Sequence, residues 1–276
     1  MQKAIKHVIF LYMIFLALLF FSGGAEGAAS TALYYIAFLL PLCIMLGLYR
    51  RDKYEREQER GLREEWIQPL KPSVLGLRLT LPLIAPTVLF TLLLSNLIGL
   101  LLTSLGIEAP TNEVGNLALD LLSSALAPAV LEEMLFRLAP LMLVAPRCRR
   151  KAFVLSTVCF ALVHGSVFTV PYALFAGAVL SFLASATGGV LFPIIVHFVN
   201  NTTSVLIMHF GESFFTLALW VLVGLSAVSA VLAFLFRRDY RDALRLVFEK
   251  GERGGYPVHF YVYVGFTLLL TLSSLL

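Results

Sequence analysis

Charge is scarce in this sequence: Asp, Glu, Lys and Arg make up 14% of its 276 residues, against 59% hydrophobic ones. No soluble domain of this length can bury so much apolar side chain, so the class is polytopic membrane protein. Cysteine is scarce too. Cys43, Cys148 and Cys159 stand at unrelated spacings, which suggests neither a disulfide framework nor a thiolate metal site. Glycine-rich phosphate loops, internal repeats and low-complexity tracts are missing as well. The pI near 9.0 would suit a nucleic-acid binder. The basic residues nevertheless cluster between apolar runs, which is how topology signals are distributed.

A membrane span needs about 20 apolar residues to cross ~30 Å of hydrocarbon. On that ruler the apolar runs are 8–22, 31–49, 80–103, 115–144, 152–168, 170–187, 189–209, 213–236 and 257–276. Lys3 and Lys6, the apolar run after them and "SGGAEGAAS" also fit a signal peptide with a small-residue cleavage site. We read the run as a retained first helix, because polytopic proteins seldom need a cleaved signal. Let the N-terminus lie in the cytoplasm and the runs alternate. Segments 1–7, 50–79, 145–151, 188 and 237–256 are then cytoplasmic and hold all but one of the 21 Lys and Arg residues. The exterior loops hold Glu26, Glu108, Glu113 and Glu212 but no basic residue. This predicts a multi-pass protein of the cell membrane with a cytoplasmic N-terminus.

Two charged segments stand outside the spans. Residues 50–66 carry Asp52/Arg56 and Glu59/Arg63 at helical spacing and read as a solvated cytoplasmic helix. Residues 237–252 place Tyr240, Leu244, Val247 and Phe248 on one face, as in an amphipathic helix lying on the inner membrane surface.

Within the spans the ionisable residues are Asp120, Glu132, Glu133, Arg137, His164, His197 and His209. Each costs ~2.5–3.5 kcal/mol at the bilayer centre on insertion scales, which makes each a functional candidate. Glu133 and Arg137 are four apart with the acid first, the favourable order for a helical ion pair. Glu132 points about 100° away and has no cation at helical spacing, so it must protonate, meet water or meet another helix. His197 and Asn201 project from one face of their helix. Taken singly, His164, His197 and Asn201 would serve as packing hydrogen-bond partners between spans. Counted from the cytoplasmic anchors Arg147, Lys151 and Gly188, however, Glu132, His164 and Asn201 all reach a depth of ~20 Å at 1.5 Å per residue. His197 is one turn closer to the cytoplasm. Three helices thus deliver Glu, His, and His plus Asn to one layer.

That set suits hydrolysis. Glu132 and His164 can hold and deprotonate a water, while His197 and the Asn201 amide can donate to an oxyanion. Glu132, His164 and His197 could instead hold a zinc ion with an open position. Spacing does not separate the two. No serine or cysteine is spaced as a nucleophile for either histidine.

"EEMLFR" (132–137), "FALVH" (160–164) and "HFVNN" (197–201) resemble, in order, the EExxxR, FxxxH and HxxxN motifs of the CPBP family. That family comprises the type II CAAX prenyl endopeptidases and the bacterial Abi or bacteriocin-immunity proteins. The resemblance covers roughly 115–210. It implies an all-α, polytopic transmembrane helical bundle, here of eight to nine spans, with a polar catalytic layer inside the membrane. It also implies Glu132 as general base with His164, His197 and Asn201 as the oxyanion site, and Glu133, Arg137 and Phe160 in support. Family members are described both as metalloproteases and as metal-independent glutamate enzymes. Many carry glycine after the arginine, where this chain has Leu138.

The expected division is 1–79 for the N-terminal spans and charged loop, 80–210 for the protease core, and 211–276 for the C-terminal spans with the interfacial helix. The expected function is an intramembrane endopeptidase acting on a membrane-anchored substrate, with prenylated CAAX-type peptides among those the resemblance allows. The expected partners are that peptide or protein and the lipid bilayer, not nucleic acid. The alternative is a non-catalytic membrane partner on the same fold, such as a bacteriocin self-immunity or scaffold protein.

Overall fold

The computed structural model describes residues 1–61, 63–107 and 114–275, all helix and connecting segments. Glu108 and Glu113, assigned above to an exterior loop, lie outside the described residues. The elements are α1 (Gln2–Gly23), α2 (Gly27–Arg60), α3 (Val74–Ser104), α4 (residues 117–143), α5 (Arg149–Val163), α6 (Val170–Thr187), α7 (Leu191–Leu235), α8 (Arg237–Phe248) and α9 (Val258–Ser273). The protein is a polytopic helical bundle. Five helices, α1, α2, α3, α6 and α7, are each long and apolar enough to cross a membrane.

Helix α7 is 45 residues long, far more than one crossing needs, and it turns back at Gly211 (φ 69°, ψ −155°). Val199 on its first arm and Leu222 on its second meet the same α3 cluster of Ala85 and Val88. Gly76, at the start of α3, lies against Phe192, and the adjacent Arg78 pairs with Asp239 beyond the second arm. The two runs 189–209 and 213–236 are therefore antiparallel arms joined by one residue. Only glycine adopts such a backbone without strain.

Ionic and polar contacts sort the connecting segments into two ends. At one end Lys3 pairs with Glu55, the N-terminal amine with Glu252, and Arg147 with Asp52, while the Lys151 ammonium donates to the Glu252 and Gly254 carbonyls. These segments are the ones the basic residues assign to a common side. At the other end Ser22 and Ser30 exchange hydrogen bonds, and the Val167 N–H donates to Ser274.

The reading of 50–66 as a solvated helix is corrected. Gly61, with φ +64°, ends α2 after Arg60, so Arg63 lies past the helix and is no helical partner of Glu59. Asp52, Lys53 and Arg56 are buried. Asp52 binds both Arg56 and Arg147, and Glu64 folds back to accept from Arg56 Nε at 3.0 Å and Nη2 at 2.7 Å. Pairing with Glu64 and Arg147, invisible in local spacing, takes these charges out of water. The amphipathic helix is shorter than expected, ending at Phe248, and its buried face is Ala243 and Val247 with half-buried Tyr240. The Tyr240 hydroxyl donates to the Leu79 carbonyl at 2.6 Å. Leu244 and Phe248, expected on that face, are exposed at its edges.

Candidate active site

Proline sets the shape of α4. Its two π-helical stretches, Leu121–Leu126 and Met134–Leu138, each run up to within two residues of a proline, Pro128 and Pro140. Proline offers no N–H, and its ring crowds the carbonyl four residues back, so the wider π turn relieves both problems. For Pro140 that carbonyl belongs to Phe136. The buried Tyr12 hydroxyl on α1 donates to it at 3.2 Å, satisfying an acceptor that would otherwise be orphaned. Pro193, in contrast, sits in the first turn of α7, where no intrahelical bond is lost.

Glu132 and Glu133 occupy the turn between the π stretches and face different surroundings. Glu133 is fully buried. Its Oε1 lies 3.1 Å from Arg137 Nη1 and accepts from His197 Nδ1 at 2.8 Å. Local pairing with Arg137, expected from the spacing, is thus half of what Glu133 does; it also anchors α7. The guanidinium of Arg137 lies 3.8 Å from the centroid of the Phe160 ring. Three of its nitrogens and Glu133 Oε2 have no hydrogen-bond partner among the described residues. Charge and the aromatic face, rather than a bidentate bond, hold the pair.

Phe160 is the hub of this layer. Its ring is edge-on to His164, with centroids 4.9 Å apart, and to His197, at 5.8 Å. His164 caps the C-terminus of α5 rather than lying inside a helix that runs to residue 168, because Gly165 takes φ +58° and turns the chain. The His164 Nδ1 donates to the Phe160 carbonyl at 2.8 Å, which leaves Nε2 as an acceptor.

Glu132, His164, His197 and Asn201 all line one cavity of about 210 Å³, together with Tyr172 and Asn200. Glu132 Oε2 stands 3.8 Å from His197 Nε2, close enough for charge to act but too long for a hydrogen bond. His164 reaches the cavity from α5, though no Glu132–His164 ion pair forms among the described residues. Asn200 escaped the sequence reading. Its Oδ1 accepts from Thr91 at 2.6 Å and its amide donates to Asn201 Oδ1 at 3.4 Å. This engages the carbonyl of Asn201 and leaves its amide for the cavity. The doubled asparagine in "HFVNN" was the only available signal; Thr91, on α3, had none.

The donor set does not fit a metal. Among the described residues no three His, Cys, Asp or Glu side chains converge closely enough to hold an ion. The His197 Nδ1 bond to Glu133 does not bear on this, since it leaves Nε2 toward Glu132; the spread of the donors decides it. No step below is routed through a metal.

The outer pair of the polar inventory also meets. His209 Nε2 donates to Asp120 Oδ2 at 2.8 Å, joining the start of α4 to the tip of the first α7 arm.

A bundle of apolar helices with a half-buried Glu–His–Asn cavity between α4, α5, α6 and α7 defines a multi-pass membrane protein with an internal polar site. Residues 114–203, which carry all three motifs, match the family model described as type II CAAX prenyl endopeptidase Rce1-like. The match covers about a third of the 276-residue chain and agrees with the CPBP resemblance. No curated protein and no solved structure gives a significant match.

Proposed function

We propose that this protein is an intramembrane endopeptidase that cleaves a membrane-anchored peptide with a water activated by Glu132. The observation that carries the reading is the convergence of Glu132, His164, His197 and Asn201, from three helices, on one cavity. The family match, which points to proteolysis, supports it.

In this proposal Glu132 takes a proton from a water that His164 Nε2 helps to hold. The resulting hydroxide forms a bond to the scissile carbonyl carbon, and the carbonyl electron pair moves onto oxygen. The Asn201 amide donates to that oxyanion. His197, with Nδ1 bound to Glu133, donates through Nε2 only as an imidazolium, whose charge the oxyanion balances once Glu132 holds the proton. The C–N bond then breaks, and Glu132 returns its proton to the leaving amine. Glu133 and Arg137 position His197, and Phe160 spaces Arg137 from both imidazoles. We place the Lys/Arg-rich end in the cytoplasm of a cell membrane, following the distribution of basic residues.

The test is a cleavage assay of the purified protein on a panel of lipidated, prenylated and unlipidated peptides, with and without chelator. Wild type should cleave at least one anchored peptide, and Glu132→Ala and His164→Ala should cleave none while still inserting and folding. Absence of turnover on every peptide, with both variants retaining biological activity, would sink the enzyme reading.

A further inference from the structure

A second, larger cavity of about 780 Å³ lies between α3, α4 and α7, on the side of the bundle away from the Lys/Arg-rich end. It shares Ser124, Tyr172, Asn200 and Asn201 with the cavity that holds Glu132, so the two are continuous. Thr91, Ser95, Thr203 and Ser204 line it with hydroxyl groups between the apolar Val88, Leu92, Val205 and Met208, and the Thr203 and Ser204 hydroxyls, which donate to their own helix, present acceptors. Among the described residues Asp120 is the one carboxylate that lines it, and no Lys or Arg does. Apolar spans of a membrane bundle do not carry such a wall without a use for it. Neutral hydroxyls and amides can both give and accept hydrogen bonds, which suits the alternating donors and acceptors of an extended peptide backbone. His209 and the Gly115 N–H both engage Oδ2 of Asp120, so Oδ1 is the oxygen left to face the cleft, where it favours a basic side chain and disfavours a free C-terminal carboxylate or a phosphate.

We propose that this cleft is the substrate-binding groove of the peptidase, holding an extended polar segment with a lysine or arginine of the substrate at Asp120. The proposal rests on the peptidase reading for the word substrate, but not for the binding itself. Asp120 precedes Glu132 by 12 residues on α4, roughly 18 Å at 1.5 Å per residue. An extended peptide advances ~3.4 Å per residue. The basic residue therefore falls about five positions from the scissile bond. His209 holds Asp120 at the wall of the groove by its 2.8 Å hydrogen bond.

The experiment uses the full-length protein in nanodiscs and fluorescently labelled, acyl-anchored peptides that differ only in a Lys, Gln or Glu scanned through positions on both sides of the cleavage site. Binding is read by anisotropy and cleavage in parallel. The lysine peptide should bind about tenfold tighter than the glutamine peptide when lysine stands four to six positions from the bond, and the glutamate peptide weaker still. Asp120→Asn should reduce the lysine preference to within about twofold. Ser95→Lys, which leaves the Asp120–His209 bond in place, should invert the preference toward glutamate and keeps the test informative if Asp120→Asn does not fold. Equal binding of the three peptides by wild type would overturn the groove assignment even if cleavage occurs. A lysine preference in binding with no cleavage of any peptide would preserve the groove and overturn the peptidase reading instead.

Discussion

His197 Nδ1 and Glu133 Oε1 lie 2.8 Å apart, and the same carboxylate oxygen lies 3.1 Å from Arg137 Nη1. One buried oxygen therefore ties the third motif to the first. The neighbouring Glu132, one residue away, keeps its carboxylate for the cavity. The two glutamates should fail in different ways when changed.

Glu133→Ala leaves Arg137 as a buried charge without a counter-ion and His197 without its acceptor. Breaking a buried pair in this way costs about 3–5 kcal/mol. Thermal unfolding in detergent should show a large drop, and Glu133→Ala/Arg137→Ala should be less destabilised than the sum of the two single variants.

Glu132→Gln should leave that unfolding transition within about 1 kcal/mol of wild type, because the side chain borders a cavity and has no hydrogen-bonded partner among the described residues to lose. Cleavage should fall by about 10²–10⁴-fold, the range that a general base contributes. A destabilised but active variant would assign Glu132 to packing.

Asn201→Ala removes a donor aimed at the cavity, and loss of one oxyanion donor lowers kcat by about 10²–10³-fold. Asn200→Ala should act on the same quantity at smaller amplitude, since it works through Asn201. Unchanged KM in both, measured by steady-state kinetics, separates this from loss of substrate binding.

Phe160→Leu keeps the volume apolar but removes the face under the Arg137 guanidinium, a contact worth about 2 kcal/mol when desolvated. Arg137→Lys loses the planar stacking from the other side and is not conservative here. Both should lower the unfolding temperature, and Phe160→Leu should also lower kcat because both histidines rest against that ring.

Gly211→Ala meets no steric neighbour, since nothing lies within 4 Å of an added Cβ. Its cost is then backbone strain alone, about 1–3 kcal/mol, because φ 69° and ψ −155° fall in a region open only to glycine. Unfolding of purified Gly211→Ala beside Gly224→Ala, a glycine with equal room but helical backbone, isolates that term.

The helical class and the runs that became α1, α2, α3, α6 and the two arms of α7 were legible because they depend on local properties: hydropathy, 3.6-residue spacing and the grouping of basic residues. Runs 115–144, 152–168 and 257–276 did not form helices of spanning length and hydropathy. Glu132 stood out for a similar reason, having no partner at helical distance. What spacing could not supply was contact between helices. Glu133 looked satisfied by Arg137, and only the fold brings His197 to it. The charges of 50–66 looked solvated, and only the approach of Arg147 buries Asp52. Asn200 gave only the doubled asparagine and Tyr172 nothing, because a polar residue in a span looks the same whether it lines a cavity or faces a neighbouring helix. The end of α5 at His164 depended on the positive φ of Gly165, which a glycine permits but does not demand.

The reversal at Gly211 also bears on how the chain enters the bilayer. The two arms of α7 are joined by one residue, so no hydrophilic loop has to be translocated between them. Within residues 205–217 of α7 the ionisable side chains are His209, bonded to Asp120, and Glu212. The arms can insert together as a hairpin whose leading end carries a single charge. The helix that delivers His197 and Asn201 thus reaches its depth without a separate export step.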